Sequence, residues 1–234
     1  MHNAEMKAYD LITEMILSRK YAPGDRLIET EISENIGLSR TPIRNAMRKL
    51  AAEGLLDVRG NKGCYIPKLS PEDMAEVFKA RAYLEGKVAM EAAYCRTEKD
   101  IEQMLDLLNQ EKEYYSQGRH KEYAAVNDKF HLLLGKMARN NYIEKFMRQV
   151  FWRSGLYIFY FDRFYAPPIN EEILRDPSKS VSCVEHEKIL HAIELGDGAL
   201  AESSARAHIY TTYSKIAGRI PKGEILGTQK VFFI

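Results

Sequence analysis

Residues 39–56 read Ser39-Arg-Thr-Pro-Ile-Arg-Asn-Ala-Met-Arg-Lys-Leu-Ala-Ala-Glu-Gly-Leu-Leu56. Ile43, Ala46, Met47, Leu50 and Ala51 recur at spacings of three and four, which is one apolar stripe on a helix. Ser39 is a suitable N-cap, Pro42 is tolerated in the first turn, and Gly54 ends the run. Arg40, Arg44, Arg48 and Lys49 fall on the other side, and no acid lies between Ser39 and Ala52. One side of such a helix packs on a scaffold while the other meets phosphates and guanine edges. Arginine suits this because its planar fork pairs two acceptors on guanine. A solvated surface helix carries similar charges, so the neighbouring elements decide.

Upstream, residues 4–20 place Ala8, Leu11, Ile12, Met15 and Ile16 on one helical face. Tyr21-Ala-Pro-Gly-Asp25 breaks that helix. A short second helix is predicted over about Thr30 to Asn35, with Gly37 as a left-handed cap. Downstream, Leu55 to Val58 and Cys64 to Ile66 read as two strands around the turn Arg59-Gly60-Asn61-Lys62-Gly63. The tip, Lys62-Gly63, is placed to reach a phosphate or the minor groove. Three helices and a β-hairpin, with the basic stripe on the third helix, predict a winged helix-turn-helix over residues 1–68. Those residues hold 11 basic and 9 acidic side chains, a net of +2, so the basicity is a patch and not a domain-wide field.

The whole chain has 234 residues, 34 basic and 33 acidic side chains, and 45% hydrophobic residues. That length allows one large domain or two smaller ones. A net charge of +1 excludes a polycationic nucleic-acid coat. No run of 18 uncharged apolar residues is present, and the first residues do not read as a secretory signal. Three scattered cysteines, Cys64, Cys95 and Cys183, argue against a disulfide framework or a cysteine-based zinc site and fit a reducing cytosol. A cytoplasmic protein with no membrane partner is expected.

Beyond a linker at Pro67 to Pro71, the sequence reads as helices only. Ser70 caps the first, with Pro71 at its first position. The rest run over roughly 97–117, 119–138, 141–165, 181–195 and 198–217, interrupted by Ala166 to Ser180. Periodic segments with short turns predict an all-α antiparallel bundle over 69–218. The tail 219–234 has no assigned role beyond docking on a neighbouring surface.

Inside that bundle, Asn127 and His131 are four apart and share a face. His186 and His208 lie 11 residues either side of Asp197. In an antiparallel pair both imidazoles then sit about 16 Å from the turn, at about 1.5 Å per residue. Spacing does not fix their rotation; if they face each other, three imidazoles and an amide oxygen converge. Such nitrogens suit Zn, Ni, Cu, Fe or Mn. His2, His120 and His191 read as surface or hydrogen-bonded groups. Arg81 has two readings. It can receive an effector carboxylate in a bidentate pair, or pair with Glu85 on its own helix, worth a few tenths of a kcal/mol if exposed. The aromatic run Phe151-Trp152, Tyr157, Phe159-Tyr160-Phe161, Phe164-Tyr165 reads as core and subunit contact, with part of it lining a cavity.

The stretch 39–56, followed by Asn61-Lys-Gly-Cys-Tyr-Ile66 and preceded by Gly24-Asp-Arg-Leu-Ile-Glu-Thr-Glu-Ile-Ser33, resembles the winged helix-turn-helix of GntR-type bacterial transcriptional regulators. The resemblance implies DNA contacts from Arg40, Thr41 and Arg44, supported by Arg48 and Lys62-Gly63. Many members carry a base-reaching Arg in the short second helix where this sequence has Thr30, so their operators do not transfer. Arg81-Ala-Tyr-Leu-Glu85, Asn127-Asp-Lys-Phe-His131, His186 to Asp197, Ala201 and Arg206-Ala-His208-Ile resemble the FCD effector domain of the FadR subfamily. In metal-binding members the matching positions, here Asn127, His131, His186 and His208, hold a divalent ion. Asn127 replaces the commoner Asp, which leaves the site one charge more positive. Asp128 lies about 100° around the helix and is a poor substitute.

The expected function is therefore a ligand-responsive regulator that binds operator DNA as a homodimer and senses a small organic acid, through a divalent transition metal (Zn, Ni, Mn or Fe) or through the histidines alone. A helical-bundle metalloenzyme with a DNA-targeting module is the alternative. Against it, no carboxylate or Ser/Cys base is placed by motif beside those histidines.

Overall fold

The computed structural model describes residues 2–17, 20–60, 63–161 and 176–219. Nine α-helices and a three-stranded sheet are formed among them. Helix α1 (His2–Leu17) buries Ala8, Ile12 and Ile16. Helix α2 (Glu29–Ile36) contributes Ile32 and stops at Gly37, whose φ of 66° is the left-handed cap its lack of a Cβ permits. Helix α3 (Arg40–Ala52) buries Ile43, Ala46, Met47 and Leu50, the stripe read from its spacing, and leaves Arg40, Arg44, Arg48 and Lys49 exposed. Ser39 occupies the N-cap with extended backbone, but its side chain makes no cap hydrogen bond.

The wing departs from the simple hairpin. Strands β2 (Asp57–Val58) and β3 (Cys64–Tyr65) pair antiparallel, and β1 (Arg26–Leu27) joins the other edge of β3. Leu27 is opposite Cys64, and Arg26 is opposite Tyr65. Leu55 and Leu56 precede the strand and are buried in the core. Two residues of strand flanked by Pro23-Gly24-Asp25 give no alternation to read, which is why β1 is silent in the sequence.

Ser70 Oγ accepts from the Asp73 amide and starts α4 (Pro71–Cys95) with Pro71 at its first position. Helices α5 (Glu98–Ser116), α6 (His120–Met137), α7 (Asn141–Phe161), α8 (Val181–Leu195) and α9 (Gly198–Ala217) follow, with a 3-10 turn at Pro177–Lys179. A reciprocal Thr97–Asp100 capping box opens α5. Gly196, at φ 73°, and Asp197, which caps the Leu200 amide, turn α8 back into α9. The bundle core gathers Val88, Ala92, Phe130, Leu134, Phe151, Ile189 and Ala205.

Helix α7 belongs to both halves. Leu156 is buried in the winged-helix core, with Trp152 and Tyr160 packed against it. Gln149 Nε2 donates to the Ala52 carbonyl at the end of α3, 2.8 Å away. Arg153 bonds Asp57 on β2 and also reaches Asp73. All three cysteines are free. Among the described residues no helix is long and apolar enough to cross a membrane. Lys62, Phe164-Tyr165, residues 166–175 of the predicted interruption and residues 220–234 of the tail lie outside the described residues.

Candidate functional site

The exposed side of α3 is not a row of free cations. Arg44 Nε lies 3.0 and 3.1 Å from the two carboxylate oxygens of Glu29 on α2, and its NH2 donates to Oε2 at 2.8 Å. Arg40 NH2 is 3.6 Å from the same carboxylate. The bond from Arg44 holds the Glu29 carboxyl below its usual range. Lys49 turns toward α1, its ammonium 4.6 Å above the Tyr9 ring. Thr41 and Arg48 are exposed. Gly63, at φ 95°, takes the strand β3 end of the wing beside the Arg26 side chain. Glu29 is absent from the sequence reading. Its signal was an acid in the first turn of the helix preceding a recognition helix, one residue before the departure at Thr30.

The second constellation lies inside the bundle. His131 on α6, His186 on α8 and His208 on α9 are all buried, and each offers a ring nitrogen within 4.8 Å of the others. The equal-height argument for His186 and His208 is met with the rotation it left open: their Nε2 atoms are 3.3 Å apart. Each ring has a carboxylate on its far side. His131 Nδ1 bonds Glu85, His186 Nδ1 lies 2.8 Å from Glu111 Oε2, and His208 Nδ1 lies 2.9 Å from Glu185 Oε2. An ionised carboxylate only accepts, so each Nδ1 that faces one is a donor. The Nε2 sides of the rings face one another, with those of His186 and His208 at hydrogen-bonding distance.

Burial drives the His131 pKa down to about 3, and neighbouring Arg81 pushes the same way against Glu85. His208 is lowered, again chiefly by burial. Burial alone would raise Glu85, but Arg81 and His131 pull it well below the carboxylate range. The same opposition at Glu111 is decided downward by His186. Glu111 Oε1 is buried with no hydrogen-bond partner. Three carboxylates face the three rings, and Arg81 pairs with one of them. Three imidazoles brought together with carboxylates behind them form a donor set that fits a divalent ion. No motif placed a carboxylate beside the histidines, but the fold brings three there, on the Nδ1 sides, where they fix ring orientation. Glu111 comes from α5, and no spacing in the sequence links it to the triad, whereas Glu185 directly precedes His186 on α8 but bonds His208 on α9.

Arg81 is 2% exposed. Its Nε donates to Glu85 at 2.8 Å, its NH1 to Ser154 Oγ on α7 at 3.1 Å, and its guanidinium lies 4.8 Å over the Phe151 ring. The i,i+4 pair with Glu85 is present, but buried. Asn127 is half-buried one turn before His131, its amide nitrogen 3.4 Å from Asp128 Oδ1. Burial pushes Asp128 up to about 6. Of the aromatic run, Phe151 and Tyr157 are core, and Phe151 also faces His131.

Comparison with known proteins places both halves. Residues 5–66 match the family model "Bacterial regulatory proteins, gntR family", and residues 76–211 match the "FCD domain". The chain is 30% identical over 219 residues to the Uxu operon regulator of Haemophilus influenzae, covering 88% of this chain and 79% of that protein. It is 27% identical over 230 residues to the HTH-type transcriptional regulator LutR of Bacillus subtilis, covering 87% and 97%. The solved structure of E. coli McbR/YncC superposes with a TM-score of 0.76 at 19% identity, over 93% of this chain and 99% of the other, a likeness of fold. The named relatives are transcriptional regulators, which leaves the metalloenzyme alternative without support.

Proposed function

Since the chain belongs to the GntR family of bacterial transcriptional regulators and carries an FCD domain, we propose that it reads a two-fold operator as a homodimer and answers a carboxylate effector at a divalent metal held by Asn127, His131, His186 and His208. DNA binding and small-molecule sensing are what these two domains do. The ion, the carboxylate, the dimer and the division into residues 1–68 and 69–218, with a tail from 219, are the proposed refinements.

The observation that carries the metal reading is the triad itself, with every Nδ1 on a carboxylate and the Nε2 atoms of His186 and His208 3.3 Å apart. When bound, the ion supplies a Lewis-acidic position for an effector oxygen. The chain's own residues do the rest. Glu85, Glu111 and Glu185 orient the imidazoles and hold their protons on Nδ1. Arg81 keeps Glu85 ionised, and its remaining N–H groups are offered to an effector carboxylate. Phe130, stacked on His186 with ring centroids 4.3 Å apart, keeps water from that ring. Ser154 ties Arg81 to α7, and α7 in turn holds Ala52 and Asp57 of the winged helix. The effector's signal therefore has a short physical route to α3. The dimer is supported by the general advantage of doubling base contacts on a symmetric site.

The testing experiment is elemental analysis of protein purified without a histidine tag, with the double variant His131→Ala/His186→Ala alongside. Stoichiometric metal in the wild type and none in the variant is expected; full retention in the variant would remove the site. For DNA, Arg44→Ala is expected to weaken specific binding about 5- to 150-fold, measured by anisotropy on a selected duplex.

A further inference from the structure

We infer that Glu29 is a specificity-determining residue for DNA, holding the Arg44 guanidinium side-on so that its far end is presented to guanine and withheld from phosphate. The inference rests on Arg44 being the base reader. Glu29 grips the Nε–NH2 edge of that guanidinium with three contacts of 2.8–3.1 Å, and none of them uses NH1. The NH1–NH2 end is the edge with the spacing to meet guanine O6 and N7 together. A guanidinium held at two points along one edge has its plane and direction set before DNA arrives, so less rotamer freedom is lost on binding. An arginine left loose at the same position swings to the nearest phosphate, which lies on every sequence alike.

Charge works in the same direction. Glu29 sits in the first turn of α2, where the helix dipole favours an anion. A carboxylate beside a DNA-contacting surface repels the backbone, and that repulsion penalises non-specific complexes fully. In a specific complex the guanine pair made by Arg44 compensates it. Arg40, 3.6 Å from the same carboxylate, is drawn to the same place. Side chains of Glu29 and Arg44 are 28% and 46% exposed, so the pair is open to DNA and is not a buried structural strut.

The test uses the full chain, a duplex selected from a random library by the wild type, and a scrambled duplex of equal length, with affinities measured across a salt series. For Glu29→Gln the specific-to-scrambled affinity ratio is expected to fall about tenfold, while scrambled DNA is bound a few times more tightly. Glu29→Asp, which keeps the charge but shortens the reach, is expected to lose ratio without gaining scrambled affinity. In the double variant Glu29→Gln/Arg44→Ala, discrimination is expected to be no worse than in Arg44→Ala alone. If Arg44→Ala loses discrimination while Glu29→Gln keeps the full ratio, or if Glu29→Gln raises both affinities equally, Glu29 is only a local charge and the inference fails. If Arg44→Ala keeps the full ratio, the base-reading assignment fails instead. Thermal melting of each variant checks folding, and a solvent-facing site makes all of them tractable.

Discussion

Asn127 carries a small chemical departure with a large electrostatic consequence. With a carboxylate at this position, the buried charge around the three histidines would be one unit more negative and the ion held more firmly. Asn127→Asp is therefore expected to raise metal affinity by roughly tenfold or more and to weaken the response to an anionic effector, read by competition with a chelating dye and by titration. The carboxylates behind the rings make a second claim at this scale. Glu111→Gln removes the charge that fixes His186, and a loss of about 10- to 100-fold in metal affinity is expected. Unchanged affinity would mean that Glu111 merely fills space. The histidines were legible because equal spacing about Asp197 is arithmetic on an antiparallel pair. Glu85 was legible only as the partner of Arg81, and Glu29 not at all. Their roles depend on which helix lies alongside, and a single sequence does not hold that information locally.

At the scale of elements, the helices and the β2–β3 hairpin could be read and the third strand, β1, could not. Helices α5, α6, α8 and α9 have long apolar periods and caps such as Thr97 and Asp197, so their limits fall within a residue of the reading, whereas α7 is described to Phe161 and the rest of its expected span to 165 lies outside the described residues. Strand β1 is two residues long, too short for alternation to show. The segment after α3 illustrates how close packing sets a residue type. Gly54 adopts φ 87°, and a Cβ there would lie 2.8 Å from the Gln149 carbonyl oxygen on α7. Gly54→Ala meets both backbone strain and a clash with main chain, for which about 1–3 kcal/mol is expected. For a chain of this size that corresponds to a fall of roughly 2–12 °C in Tm, measured by calorimetry. A variant melting with the wild type would show that α3 and α7 separate freely.

Across the whole molecule, α7 has one flank at the histidines and the other on the winged helix. Phe151 and Ser154 touch His131 and Arg81, while Gln149, Arg153 and Leu156 hold Ala52, Asp57 and the N-terminal core. Coupling between two sites is a free energy, typically about 1–3 kcal/mol, and it needs elements both sites can bias. Arg153→Ala combined with Gln149→Ala is expected to leave metal content intact and operator affinity within a few-fold. The change in operator affinity on adding the co-purifying metal to stripped protein should shrink to less than half. A full-sized change would place the route elsewhere.

The bond from Gln149 to the Ala52 carbonyl has a consequence for the shape of the operator. With its tail pinned to the bundle, the reading head cannot swivel on a loose tether. In a two-headed protein the bundle then acts as a ruler, and the distance between half-sites becomes a property of the sensing domain. One base pair inserted between them rotates the second half-site about the duplex axis, and a pinned head has no slack with which to follow.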